Sequence, residues 1–216
     1  MSREKPQQKR KYDSSRRKAQ ARETKLRITE AARSLFLEHG YVGTTIEAIA
    51  VDARVSRETI YGIFQNKQNI LTFLLDISVG GDDLPLHVTE RSKPQSIMHD
   101  VDQKRQLTDF AQDIGDILSR AAAVFGILRQ AANTEAELGR RVNRLHKERL
   151  ENMKTFVHYV AINGPLRDGI SEAQAGETVW ALTSPELFNL LAEELGWSKQ
   201  EYAQWLSDTL TRVLLP

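Results

Sequence analysis

Residues 44–64 read TTIEAIAVDARVSRETIYGIF, and this stretch decides the fold. Ile46, Ile49, Ala50 and Ala53 recur at i, i+3, i+4 and i+7, the apolar face of a short helix. Thr44 and Glu47 read as a T-x-x-E capping box for its first free amides. Arg54 and Val55 make a tight turn, and Ser56 is placed to N-cap a second helix. On that helix Ile60, Ile63 and Phe64 share one side, while Arg57, Glu58, Tyr61 and Gly62 share the other. A capped helix, a tight turn and a short helix buried on one side form a helix-turn-helix, whose second helix fits a DNA major groove.

The flanks extend the pattern. Ile28, Ala31, Ala32, Leu35 and Phe36 mark a preceding amphipathic helix that ends at His39-Gly40, with Gly40 suited to the position after the last turn. Gln65-Asn66-Lys67 follows the second helix, and Ile70, Leu71, Leu74 and Leu75 begin another. Residues 27–75 resemble the N-terminal domain of the TetR/AcrR family of one-component transcription regulators. The resemblance rests on the ordered set Ala31-Ala32, Leu35-Phe36, Gly40-Tyr41, Thr44-Thr45, Ile49-Ala50, Val55-Ser56, Thr59-Ile60-Tyr61, Phe64 and Lys67. Three places depart from the family pattern. Arg54 stands where a turn glycine is usual, Glu58 where a small residue is common, and Gly62-Ile63 where His and Tyr are usual.

Bulk properties narrow the function. The 216 residues suffice for one or two domains, and 40% hydrophobic content supports a real core. No apolar run is long enough to span a membrane, and the N-terminus lacks the apolar segment of a secretory signal. With no cysteine, disulfides, thiolate metal sites and thiol nucleophiles are excluded, which fits a cytoplasmic location. No cofactor is expected, and the sequence carries none of the common motifs of hydrolases, nucleotide-binding enzymes or zinc proteases, so catalysis is not the expected activity. The net charge of +1 hides a split. Residues 1–22 carry nine Lys/Arg against two acids, residues 23–70 balance at six and six, and residues 71–216 carry fifteen against twenty-one. A basic end beside a DNA-reading motif suits a protein that presents that end to a polyanion.

The rest of the chain reads as all-α, with no convincing strand. Residues 1–22 are expected to form a basic, flexible arm, residues 23–68 the helix-turn-helix domain, and residues 69–216 an effector-binding and dimerisation domain. Met1 to Tyr12 is polar and contains Pro6, a composition that favours disorder, while Asp13 or Ser14 offers an early cap that would start the first helix before Arg16. Val79-Gly80-Gly81 ends a helix, and Pro85 and Pro94 make residues 82–96 a connection. Leu107, Phe110, Ala111, Ile114, Ile117 and Leu118 line one helix face, and Phe125 and Leu128 a second. Thr134 with Glu137, Ser171 with Gln174 and Ser198 with Glu201 read as further capping boxes, and Ser184 caps a helix with Pro185 at its first position.

The resemblance implies roles for these residues. Thr44, Thr45, Tyr61 and Lys67 would hold phosphates, which set register rather than sequence choice. Arg57 is the candidate for a bidentate guanine contact worth about 1–3 kcal/mol of discrimination, Glu58 for cytosine and Thr59 for a thymine methyl. Arg54 and Ser56 flank this face, and Arg16, Arg17, Lys18 and Arg22 are the arm residues that would reach the minor groove or flanking phosphates. A small, hydrophobic effector would enter the second domain, where Phe73, Ile77, Phe110, Ile114, Phe125, Leu128, Phe156 and Trp180 are candidate lining residues, with His146 and His158 as polar contacts. The last two helices would pair with their copies through Leu187, Leu190, Leu191, Tyr202, Trp205, Leu206, Thr209, Leu210 and Val213, plain packing of the monomer being the alternative.

The expected partners are a double-stranded operator, a second copy of the chain and a small-molecule effector, with no membrane. A homodimeric repressor is the family default. An activator of the same fold, or an interaction protein with a weakened DNA head, stays open from sequence. Deletion of residues 1–15, which carry Arg3, Lys5, Lys9, Arg10 and Lys11, is expected to weaken DNA binding and flatten its dependence on salt, measured as the slope of log affinity against log salt. An unchanged slope overturns the role of the arm.

Overall fold

The computed structural model describes residues 14–216, and among them every regular element is helical. The expectation of a flexible segment before Ser14 falls outside the described residues. The head comprises α1 (Ser14–Gly43), α2 (Ile46–Asp52) and α3 (Arg57–Phe64), closed by the start of α4 (Lys67–Gly80). Helix α1 already includes residues 14–22, so Arg16, Arg17, Lys18 and Arg22 project from a helix rather than from a flexible arm. Gly40, at φ 68°, breaks the helical path and turns the chain into the head's core. Such a φ is open to glycine without the Cβ penalty that other residues meet.

The capping chemistry is more selective than the pattern suggested. Helix α2 is capped by Thr45, whose Oγ1 accepts from the Ala48 amide at 3.1 Å, and not by Thr44. Ser56 caps α3 as expected, accepting from Thr59 N at 3.2 Å, and Asn66 caps α4, accepting from Asn69 N at 2.8 Å. The turn between α2 and α3 places Arg54 at φ 52°, so a non-glycine residue holds the left-handed position.

The second domain follows. The connection after α4 contains a 3-10 turn at Val88–Glu90 and α5 (Ser92–Met98), where Pro94 is accepted because it lies in the first turn. The two predicted faces after Leu107 belong to one helix, α6 (Gln103–Ala132), because the alanine run does not interrupt it. Helix α7 (Ala136–Ile162) starts without a side-chain cap, since Thr134 Oγ1 instead donates to Ala131 O at 3.1 Å and finishes α6. Glu137 pairs with Arg140. The boxes at Ser171 and Ser198 are both formed, opening α8 (Glu172–Leu182) and α10 (Lys199–Leu214). Ser184 caps the short α9 (Pro185–Asn189), which continues into a π-helical turn at Leu190–Glu194.

Two apolar cores result. One fills the head and continues through Leu71, Leu74 and Leu75 of α4 to Val124, Leu128 and Ala131 of α6 and Leu138 of α7. The other joins α5, α6, α7, α8 and α10 around Leu107, Phe156, Val160, Tyr202 and Leu206. Packing therefore does not divide at residue 68: α4 and the end of α6 belong to the core of the head as much as to the second domain. No helix of the described residues is long and apolar enough to cross a membrane.

Candidate nucleic-acid interface and cavity

The polar side of α3 is the exposed side. Arg57, Glu58 and Gly62 are exposed, and Tyr61 is half exposed. Thr59 is partly covered, its hydroxyl 3.2 Å from Ser56 Oγ. Arg57 donates to Glu47 of α2 at 3.0 Å, and this pair holds the Glu47 carboxyl below its usual range. Both side chains are more than half exposed, so the pair is weak and screened by salt, and a base edge or phosphate competes readily for the guanidinium. Thr45 lies exposed at the start of α2, beside amides that favour an anion. Arg54 is exposed at the turn.

Two expected phosphate contacts face inward. Thr44 is 1% exposed, and its hydroxyl reaches Gly40 O at 2.8 Å and Leu35 O at 3.0 Å. Lys67 donates to Tyr41 O and Thr44 O, both at 2.7 Å, and lies 4.1 Å from the centre of the Tyr41 ring. Its partial burial lowers its pKa. The break at Gly40 leaves carbonyls at the end of α1 without helical donors, and Thr44 and Lys67 supply those donors. Their roles are to join α1, α2 and α4. Arg22, though well exposed, also has a partner within the chain. It forms a two-point pair with Asp83, in the connection after α4, which holds that carboxyl below its ordinary range. It ties α1 to the second domain.

Behind α4 lies a cavity of about 640 Å³. Phe73 and Ile77 of α4, Phe110, Ile114 and Phe125 of α6, and Phe156 of α7 line it, as expected. Phe110 and Phe156 stack with ring centres 3.8 Å apart. Leu128 does not line it, because it sits one turn beyond Phe125, fully buried in the core of the head. Trp180 does not line it either, since the wall takes Thr183 and Pro185 but no residue of α8. Nor are the histidines on the wall: His146 sits edge-on to Phe125 and Trp180, and His158 pairs with Glu172 at 3.1 Å.

The wall also includes residues that the sequence reading passed over: Lys25 of α1, residues 82–89, Arg141, Arg149 and Met153. Arg149 had a readable signal. It interrupts an apolar stripe running through Leu145, Met153 and Phe156 on one face of α7.

At the C-terminal end, Tyr202, Leu206 and Leu210 are at most 1% exposed within the single chain. They occupy the face of α10 turned to the core, so the monomer itself accounts for them. Leu187, Leu191, Trp205, Thr209 and Val213 remain partly exposed, and Leu190 is 55% exposed.

Comparison with known proteins bears on this geometry. The family description "Bacterial regulatory proteins, tetR family" matches residues 28–72, the head and the start of α4. The chain is 27% identical over 187 residues to the HTH-type transcriptional repressor BepR of Brucella suis, covering 84% of this chain and 87% of that protein. The head of the chain, residues 28–72, is that of the tetR family of bacterial regulatory proteins. It is also 33% identical over 104 residues to the uncharacterized HTH-type regulator YvkB of Bacillus subtilis, where the match spans 48% of this chain and only 55% of the relative. Among solved structures it is similar to NalD of Pseudomonas aeruginosa, with a TM-score of 0.67 and 26% identity, covering 90% of this chain and 98% of that one. Its relatives are regulators of transcription, not enzymes.

Two substitutions test the reassigned residues. Lys67→Met is expected to lower the stability of the chain by about 2 kcal/mol, because two carbonyls lose a charged donor. Unchanged unfolding by urea, with loss of about one unit of salt slope in DNA binding, would return Lys67 to the phosphates. Arg54→Gly relieves the left-handed strain and is expected to raise stability by about 1 kcal/mol on the same urea curve. An unchanged or lowered midpoint means that Arg54 makes a compensating contact.

Proposed function

We propose that this chain is a homodimeric repressor that leaves a palindromic operator when a small, mainly hydrophobic molecule enters the cavity. The observation that carries the reading is the shared position of α4. It follows the reading helix directly, contributes to the core of the head, and forms one wall of the cavity through Phe73 and Ile77. A ligand that favours a different setting of α4 also favours a different setting of α3, and its effect on DNA affinity equals its preference between the two states.

Other features support the proposal. The exposed side of α3 presents Arg57, Glu58 and Tyr61 for base edges and backbone, and Thr45 and Arg54 for phosphates. Arg16, Arg17 and Lys18 on the first turns of α1 add exposed positive charge. The partly exposed Leu187, Leu190, Leu191, Trp205, Thr209 and Val213 supply apolar surface for a second copy. The names of BepR as a repressor and of NalD as the secondary repressor of a multidrug efflux pump favour repression over activation. A soluble cytoplasmic protein at its operator follows from this role.

The test is an anisotropy titration of the purified protein against DNA from upstream of its own gene, at two salt concentrations. Tight binding that resists competitor DNA, and that falls at least tenfold in Arg57→Ala/Tyr61→Ala, is the expected result. Weak binding that is erased by salt and equal in the variant removes the operator from the reading.

A further inference from the structure

Among the described residues, the buried side-chain nitrogens and oxygens that lack a hydrogen-bond partner are Arg91 Nε, Arg141 Nε, His146 Nδ1, Arg149 Nη1 and Trp180 Nε1. All are nitrogens and none is a carboxylate or amide oxygen. Two of them, on Arg141 and Arg149, belong to residues in the cavity wall. Buried donors of this kind are costly unless an acceptor meets them.

The two arginines differ in charge balance. Arg141 pairs with Asp76 at 2.9 Å, so its charge is answered. Arg149 has no carboxylate in an ion pair among the described residues. Its Nη2 donates to the Trp180 carbonyl and stands 3.5 Å from Thr183 Oγ1, and its guanidinium lies 5.2 Å from the Trp180 ring centre. Glu186, whose charge reaches it, is engaged by Arg129 at 2.6 Å. Burial lowers the Arg149 pKa to about 10, which leaves it charged at neutral pH.

The acids of the wall do not supply the missing partner. Asp82 is held by Arg91, Asp83 by Arg22 and Asp113 by Lys93, while Glu148 is exposed to solvent. A largely desolvated arginine in the wall of an aromatic cavity, with no carboxylate in an ion pair of its own, favours an amphipathic anion, whose carboxylate or sulfonate supplies the missing charge.

We propose that the effector of this regulator is an organic anion with an aromatic or aliphatic body, whose acidic group pairs with Arg149 while the body lies against Phe110 and Phe156. This rests on the reading of the cavity as the effector site, and it names the chemical class of the ligand.

The test uses two fluorescent probes that differ by one sulfonate. They are 8-anilinonaphthalene-1-sulfonate and neutral N-phenyl-1-naphthylamine, titrated into the full-length protein. Wild type is expected to bind the sulfonate at least tenfold more tightly than the neutral probe. Arg149→Met is expected to lose that tenfold for the sulfonate alone, and Arg149→Lys to recover part of it. Ile114→Trp, which narrows the cavity, is expected to weaken both probes. Circular dichroism melting of each variant separates loss of binding from loss of fold, and the Lys variant keeps the test valid where Met unfolds the chain. Equal affinity for the two probes, or a sulfonate affinity indifferent to Arg149, overturns the anion while leaving the cavity as the effector site. Binding of both probes that ignores Ile114→Trp overturns the cavity reading and the proposal with it.

Discussion

Lys67 occupies the first position of α4, directly after the reading helix, and its ammonium donates to Tyr41 O and Thr44 O on the far side of the head. Tyr41 lies in the last residues of α1 and Thr44 in the connection to α2, so one side chain fixes the start of α4 to the end of α1. Helix α3, with only Ile60 and Phe64 fully buried, has too little apolar surface to set its own pose. It is held between two anchored elements instead. Thr44 completes the arrangement from below by answering the last carbonyls of α1. A charged donor shared by two buried carbonyls is directional, whereas apolar packing is not. Two residues of the sequence signature, Thr44 and Lys67, thus serve the frame of the head.

The same helix carries the frame into the second domain. Leu71, Leu74 and Leu75 pack with the core of the head and with the end of α6, while Phe73 and Ile77 face the cavity. Lys25 of α1 lies 3.6 Å from the centre of the Phe73 ring, so the first helix of the head itself touches the cavity wall. Close-packed interiors do not yield gradually, so a displacement of Phe73 would pass to the helices packed around it. Alongside this apolar route runs an ionic one, from Arg22 of α1 to Asp83 in the connection.

Much of this was legible in the chain. The helix-turn-helix follows from apolar spacing and from Ser56, which has no competing cap nearby, and the left-handed Arg54 follows from the lack of a glycine in a turn that needs one. The boxes at Ser171 and Ser198 were readable for the same reason: one hydroxyl, one partner, no neighbour of like chemistry. Thr44 and Thr45 are adjacent and chemically equal, and only the break at Gly40 decides which one turns inward. Thr134 shows the same limit, since a hydroxyl between two helices can serve the end of one or the start of the next. Tyr202, Leu206 and Leu210 carry no mark that separates a core inside one chain from a core between two, because burial uses the same residues in both. Leu128 and Trp180 were misplaced by a turn or by a helix, distances that periodicity does not measure.

Residues 82–89 have two allegiances. They close one side of the cavity, and through Asp83 they are moored to the helix that carries Arg16, Arg17 and Lys18. Under the proposed function, any attempt to convert the chain into a sensor for another compound would meet two kinds of wall. Changes on α6 and α7 would retune what is recognised. Changes in the connection would alter the resting affinity for DNA along with recognition, so a biosensor evolved there would drift in background output as well as in selectivity. The stretches of α6 and α7 outside the core of the head are where specificity would diverge on its own.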